Sequence, residues 1–376
     1  LLLTQFVLIL AGTMFLMVLT LSASMTHTLD TELNRRQYDM RLFFFQPHRS
    51  DRLQDLLERY PGVVEAEPWY SVTGTVMREG ERVEDTGGLG AELFGIPQGS
   101  TMYRPLIIAG RWLSPDETGR VAVISRDTAE FNGLNVGDTI TINLGDLGEA
   151  DFQVVGTYQA ISPDVFSTDP IYAPAMAVVD VTRHANRANQ VVIRASDGSP
   201  AATEHLMKGL DQYLKSYNME VSPFFSRTKA QDRLYAFNTF NIVNQMLFSV
   251  AMVIGVVGGI GLMGSLSISV VERTREIGVL RSIGGTSPVI MTMFVLEGVI
   301  QGLMSWLVAV PLAYVIARPI SALLGQTIFQ TNLDFAFNTT AVFIWLLAVL
   351  SIAFLASLIP AHAATRVSVR ESLAYG

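Results

Sequence analysis

The chain contains no cysteine. That excludes disulfide stapling, thiol redox chemistry and cysteine-ligated zinc. Charge is scarce too. Asp, Glu, Lys and Arg make up 16% of the 376 residues, against 49% hydrophobic residues, and the mean hydropathy is +0.35. The five histidines (27, 48, 184, 205 and 362) show no metal-ligand spacing. There is no serine nucleophile elbow. The nearest approach to a P-loop is GLDQYLKS at 209–216, where Leu214 replaces the second glycine. Such a backbone could not wrap a phosphate. The sequence therefore offers no catalytic, cofactor-binding or metal-binding residues, and any ATP is expected to be bound by a partner subunit.

What the chain does have is apolar sequence in long runs, near 1–23, 240–271, 289–317 and 341–359. Each holds about 19 or more mainly apolar residues, enough to cross a hydrocarbon core of about 30 Å. The first run lacks the basic start and small-residue cleavage site of a signal peptide, so it reads as a span. The net charge of −8 is unevenly placed. Residues 25–239 hold 20 Lys+Arg against 29 Asp+Glu. Of the six basic residues elsewhere, Arg273, Arg275, Arg281, Arg366 and Arg370 fall in the loop after the second span and in the C-terminal tail. The positive-inside rule puts both segments in the cytoplasm. The expected layout is a span at 1–24, an extracytoplasmic domain at 25–239 and a span at 240–271. A cytoplasmic loop at 272–288, a span at 289–317, an outer loop at 318–340, a span at 341–359 and a cytoplasmic tail at 360–376 follow. This is a multi-pass plasma (inner) membrane protein that contacts lipid. Nucleic acid is excluded as a partner of so acidic an exterior domain.

The fold class expected is an α+β membrane protein. Four transmembrane helices carry, between the first and second, a large extracytoplasmic α+β domain. Tyr38–Phe45 reads as strand, Arg49–Tyr60 as helix and Val63–Met77 as strand. A similar unit returns as strand Gln190–Ala195, helix Pro200–Tyr217 and strand Met219–Phe225. Together they predict a split ferredoxin-like part. The insertion at about 87–188 carries β runs at Val121–Ser125, Thr139–Asn143 and Phe152–Thr157, and reads as a small β-rich subdomain. Its Gly-Asp and Ser-Pro-Asp segments are turn chemistry. From Thr13 to Gln46 and from Phe225 to Ile254 there is neither Gly nor Pro. Each stretch predicts a helix that continues unbroken beyond its span, about 45 Å for 30 residues.

Small residues cluster inside the spans. Gly255/Gly259 and Gly298/Gly302 have the GxxxG spacing that lets helices approach closely in lipid. Packing within this chain and a dimer seam both fit. Glu297 and Gln301 form a possible intramembrane polar site, since a carboxylate in a span is costly and often functional. Glu297 near the interface is the plainer alternative. Between the second and third spans lies VERTREIGVLRSIGGT at 271–286. Ile277, Leu280 and Ile283/Gly284 form an apolar stripe at helical spacing, and Glu272/Arg275 and Arg273/Glu276 are placed to pair. Gly284-Gly285 ends this helix and Pro288 opens the next. A solvated interfacial turn and a docking surface both fit the residues.

The motif SxxVxERTREIGVLRSIGG, the EGxxxG run at 297–302 and PAxxAxRxSxxExL at 360–373 resemble the signature of the FtsX-like ABC transporter permease family, which includes MacB-like and Lol-type permeases. The exterior stretches AGRWLSPDE (109–117), VAVIS, NVGDTITI (135–142), FQVVGTY (152–158) and IYAP (171–174) resemble that family's MacB-like periplasmic core domain. The resemblance covers essentially the whole chain. It implies a permease whose cytoplasmic loop docks on a separate ABC ATPase subunit. The docking residues it implies are Glu272, Arg273, Thr274, Arg275, Glu276, Ile277, Gly278, Leu280, Arg281 and Gly284. It further implies a second permease module, in the same or a homologous chain, and an extracytoplasmic adaptor. ATP-driven closure would move the exterior domains mechanically to export or extract a hydrophobic, amphiphilic or peptide cargo. Alternatives are a transmitter that activates a cell-wall hydrolase and a ligand-sensing receptor. The lead-in LNRRQYDMRLFF (33–44) resembles permeases with two such modules, so half of an eight-span permease is the expectation, with a four-span protomer trimmed at its N-terminus as the alternative.

Overall fold

A computed structural model describes residues 2–78, 81–83, 90–160, 169–329 and 333–365. The Ser-Pro-Asp segment near 162 and the tail arginines Arg366 and Arg370 lie outside the described residues. The chain forms two compact units. One comprises Leu1–His27, Phe240–Thr327 and Asn332–Gly376; the other comprises Thr28–Thr239 and Ile328–Thr331.

The first unit is helical. It holds α7 (Thr274–Ser282), α9 (Thr339–Ala364) and the greater part of α1 (Leu2–Arg35), α6 (Lys229–Glu272) and α8 (Ser287–Phe329), whose remaining ends belong to the second unit. Four stretches are long and apolar enough to cross a membrane: Thr4–Arg35, Asn244–Glu272, Ser287–Leu323 and Thr339–Ala364. Among the described residues the chain thus holds four candidate membrane spans. α1 and α6 both run on past their apolar stretches without a break, as the lack of Gly and Pro predicts; the 44 residues of α6 make about 66 Å of helix. Two boundaries differ from expectation. α8 continues through Phe329 past Pro311 and Pro319, into what reads as an outer loop. The residues after Pro319, ISALLGQTIF, are mostly good helix formers. α9 likewise extends to Ala364, because Pro360 does not stop it.

Ala11, Phe15, Leu16, Ala251, Ala313, Ala341, Trp345 and Val349 form one core of this unit. The Phe15 and Trp345 rings lie 5.0 Å apart. Ser24 and Asn338 tie α1 to the start of α9 through Ala336 and the Leu19 carbonyl.

The second unit is built on a mixed sheet. Its strands are β1 (Met40–Arg49), β2 (Val63–Arg78), β3 (Glu81–Val83), β4 (Ala91–Ile96), β5 (Ile107–Gly110), β6 (Val121–Ser125), β7 (Thr139–Asn143), β8 (Glu149–Tyr158), β9 (Asp169–Pro174), β10 (Arg187–Ala195) and β11 (Arg227–Thr228). The order is β11-β1-β10-β2-β4-β9-β6-β8-β5, with β3 on β2 and β7 bridging β2 and β8. The helices are α2 (Ser50–Glu58), α3 (Arg126–Asn132), α4 (Ala175–Thr182) and α5 (Pro200–Ser216).

The β1-α2-β2 and β10-α5 units match the sequence reading. Leu53 and Leu57 of α2 and Leu206, Leu210 and Leu214 of α5 pack on Met40, Leu42, Phe44, Val191 and Ile193. The insertion is β-rich with a core of its own, as expected, and joins the rest of the sheet through β2. The 16 residues of β2 serve both halves: Val63–Trp69 pair with β10, while Tyr70–Arg78 pair with β4, β3 and β7. Contrary to expectation, Met219–Phe225 is not a strand; only Val221 bridges, to Phe44. Pro223 has no N–H to give a ladder, and the segment turns round the β1 edge instead.

Candidate functional site

α7 occupies the predicted loop. The α6 ladder passes into it with a change of direction at Arg273 (φ −95°, ψ 14°). Arg273 N still donates to Ser269 O, and Ile277 N to Arg273 O, both at 3.0 Å. The Thr274 hydroxyl bonds back to the Val270 and Val271 carbonyls and satisfies the end of α6. Gly284 adopts φ +99°, the left-handed turn at a helix end that glycine favours. Gly285 N then donates to Leu280 O at 2.8 Å.

The helix has two different faces. Ile277 and Gly278 are buried. Ile277 sits with Val270 of α6, Ile290 and Phe294 of α8, and Ala361 and Ala364 of α9. Arg281 reaches the Ser287 hydroxyl at 3.2 Å and the Thr365 carbonyl, placing a cation at the C-terminal dipole of α9. Arg273 lies 3.4 Å from Glu297 and does not pair with Glu276, nor Glu272 with Arg275, among the described residues. The helix is short and α8 is nearer, so the tertiary partner displaces the local one. Glu272, Arg275, Glu276, Leu280 and Gly284 are exposed, and Thr274 is half-buried.

The predicted apolar stripe is therefore corrected. Ile277 faces inward, but Leu280 and Ile283 do not, and Ile283 is 77% exposed. With Val279 it forms an outward apolar pair four residues apart, one turn beyond Arg275. Val279 was the residue missed in the sequence; the 275/279/283 spacing was its signal.

The four glycines of the two GxxxG pairs face α9. A side chain at Gly255 or Gly259 would meet Ile352, one at Gly298 would meet Ser357, and one at Gly302 would meet the Ala353 methyl at 2.9 Å. Glu297 lies with the α7 arginine rather than deep in the bundle. Gln301 is buried and its carbonyl accepts from Gln5. Its side-chain oxygen has no partner among the described residues, nor do Ser305 Oγ and Trp345 Nε1.

A second constellation, not foreseen in the sequence, lies in the exterior unit where α1 ends and α6 begins. Arg36 pairs with Asp232 at 3.0 Å. The Tyr103 hydroxyl donates to Glu32 at 2.9 Å, and burial pushes its pKa well up. Lys229 N donates to Asp39 O, and Lys229 Nζ to Arg36 O. Gln37 N donates to Met102 O. The two helix ends are thus tied to each other and to the segments around Asp39 and Met102.

Residues 1–210 match the MacB-like periplasmic core domain and residues 248–369 the FtsX-like permease C-terminal domain. The chain is 40% identical over 84 residues to the uncharacterized ABC transporter permease YknZ of Bacillus subtilis (strain 168), covering 22% of this chain and 21% of that protein. Over 313 residues it is 22% identical to the macrolide export ATP-binding/permease protein MacB of Mannheimia succiniciproducens, covering 79% of this chain and 46% of the relative. It is 26% identical over 189 residues to a probable syringafactin export ATP-binding/permease protein of Pseudomonas syringae, covering 50% and 26%. The chain spans under half the length of these relatives. Among solved structures, the periplasmic region of MacB from Actinobacillus actinomycetemcomitans aligns with TM-score 0.37 and 17% identity over 53% of this chain and 93% of that one. Four spans, an exterior α/β unit between the first and second, and two domain matches that cover most of the sequence place this chain in the MacB- and FtsX-like family of ABC transporter permeases.

Proposed function

We propose that the chain is the permease part of a transporter driven by a separate ATPase, and that α7 is the handle the ATPase grips. The observation that carries this reading is the two-faced character of α7. A helix of nine residues cannot hold itself together in water. Its inner face is fixed by Ile277 and Arg281 on the ends of α6, α8 and α9. Its outer face presents Arg275, Glu276, Val279 and Ile283, an apolar pair beside charges of both signs. That is the composition of an interface anchor with a polar rim. A push on α7 would be delivered to three helix ends at once, and α6 is continuous from Glu272 back to Lys229. The movement would work the exterior unit mechanically, with a second permease module alongside. Relatives named for macrolide and syringafactin export support a hydrophobic, amphiphilic or peptide cargo.

The test is ATP turnover by the purified full chain with its ATPase in lipid. Arg275→Glu combined with Ile283→Asp should abolish permease-dependent stimulation, leaving Tm within about 1 °C because surface changes cost under about 0.5 kcal/mol. Full stimulation by this double variant would refute the docking assignment.

A further inference from the structure

The β11-β1-β10-β2 end of the exterior sheet has one covered face and one partly open face. Met40, Leu42 and Phe44 alternate toward α2 and α5 and are buried. Arg41, Phe43 and Phe45 take the opposite face. Cross-strand register builds two rows there. One reads Arg227, Arg41, Val192, Glu67; the next reads Phe43, Gln190, Trp69. Val192 and Trp69 are covered by an aromatic cluster with Tyr38, Phe94 and Tyr103. At the β1 edge that cover stops, and Phe45 is 62% exposed.

The edge is not a loose end. Ser222 N donates to Phe43 O at 2.7 Å, and Phe43 N donates to Ser226 Oγ at 2.8 Å. The segment pinned in this way holds Phe224 and Phe225 outward, 73% and 64% exposed. The Phe225 ring lies 5.9 Å from Phe43. Aromatic side chains held in place by main-chain bonds need little further ordering to bind.

Beside them sit two arginines, one of which, Arg227, also stacks on the Tyr235 ring at 4.3 Å. Arg41 and Arg227 are direct cross-strand partners, and like charges so placed repel. Arg227 lies 3.9 Å from Asp232, but Asp232 makes its shorter contact with Arg36. Arg41 forms no ion pair among the described residues. Its guanidinium stands 5.5 Å from the Phe43 ring, and its Nε is buried without a partner. Gln190, 1% exposed in the row beside Phe43, also has an unpartnered oxygen, as does buried Ser222. Buried polar atoms left unpaired call for a ligand or water. The unit as a whole is acidic, so this arginine pair is a local feature and not part of a general basic surface.

We infer that this edge binds an anionic amphiphile, with its carboxylate on Arg41 and Arg227 and its acyl chain across Phe43, Phe45 and Phe225. The site uses no residue of α7 and requires no ATPase, so it stands or falls separately from the docking assignment.

The test is photolabelling of the full chain in lipid nanodiscs, without nucleotide or ATPase. The probe is a diazirine analogue of dodecanoate below its micelle concentration, and adducts are mapped by peptide mass spectrometry. The expected adducts fall on the peptides that hold Phe43–Phe45 and Phe224–Phe225. Unlabelled dodecanoate competes; dodecyltrimethylammonium does not. Arg41→Gln lowers the yield about tenfold, the worth of one charge-assisted contact. Phe225→Ala, at an exposed position that folding does not need, lowers it about threefold or more. Adducts within the spans serve as the internal reference and stay constant. Labelling confined to the spans, equal competition by the cation, or an unchanged yield in Phe225→Ala would each overturn the assignment.

Discussion

Ile277→Ala isolates the attachment of α7. Ile277 is 1% exposed and touches side chains from three helices. Truncating a buried Ile costs about 2–5 kcal/mol, the transfer term plus a cavity. α7 has no fold of its own to fall back on, and the spans keep their own cores at Phe15/Trp345 and Leu8/Leu262. The cost should therefore appear as local detachment of α7. At the lower bound of about 2 kcal/mol the detached population rises about 30-fold. Hydrogen exchange reads this directly. Amides of 277–283 should lose about 30-fold in protection, with those of α8 near Phe294 changed far less. Permease-stimulated ATP turnover should fall in parallel. Unchanged protection in α7 would refute the reasoning, and so would an equal loss along α8 and α9.

Three further outcomes follow from the packing and the charges. Gly302→Val places methyl groups against Ala353 Cβ and the Val349 carbonyl and should cost about 1–3 kcal/mol by overpacking, read as a lower Tm in detergent, whereas Gly264→Ala meets nothing within 4 Å and should be nearly neutral. Arg36→Ala leaves Asp232 poorly compensated where α1 ends and α6 begins and should cost about 3–5 kcal/mol; the double change with Asp232→Ala should cost less than the sum of the singles, and strict additivity in denaturant unfolding would contradict a coupled pair. Burial pushes the Glu67 carboxyl up, against hydrogen bonds from Ser100 and Trp69 that lower it. A raised folded-state pKa favours the protonated fold, so this stability is present at low pH and is lost as pH rises through the folded pKa. Glu67→Gln should therefore gain Tm relative to the parent as pH rises from about 4 to 7, and a gap that does not widen would count against it.

Much of this architecture is legible from local sequence. The spans follow from run length, and the unbroken α1 and α6 from the absence of Gly and Pro. α2 and α5 follow from leucines at helical spacing. What was hidden depends on partners distant in sequence. That β2 serves both halves of the sheet is invisible in its own residues, which read as one long strand under either pairing. The fate of Met219–Phe225 turned on Pro223 and on bonds to Phe43, 183 residues away for Ser226. α3 and α4 are too short to show periodicity. In the candidate site, the helix and its glycine stop could be read directly. The orientation of its faces could not, because Arg273 and Arg281 choose Glu297 and Thr365 over neighbours on the same helix.

The central claim is that the outer face of α7 meets an ATPase while the inner face does not. A photo-crosslinking amino acid placed at Ile283, and separately at Ile277, in the full chain in its native membrane tests this most directly. The account predicts a crosslink from position 283 to a polypeptide carrying nucleotide-binding motifs, strengthened by ATP, and crosslinks from position 277 only within the chain. Equal capture from both positions, or none from 283 in membranes that retain ATP-driven activity, would contradict it.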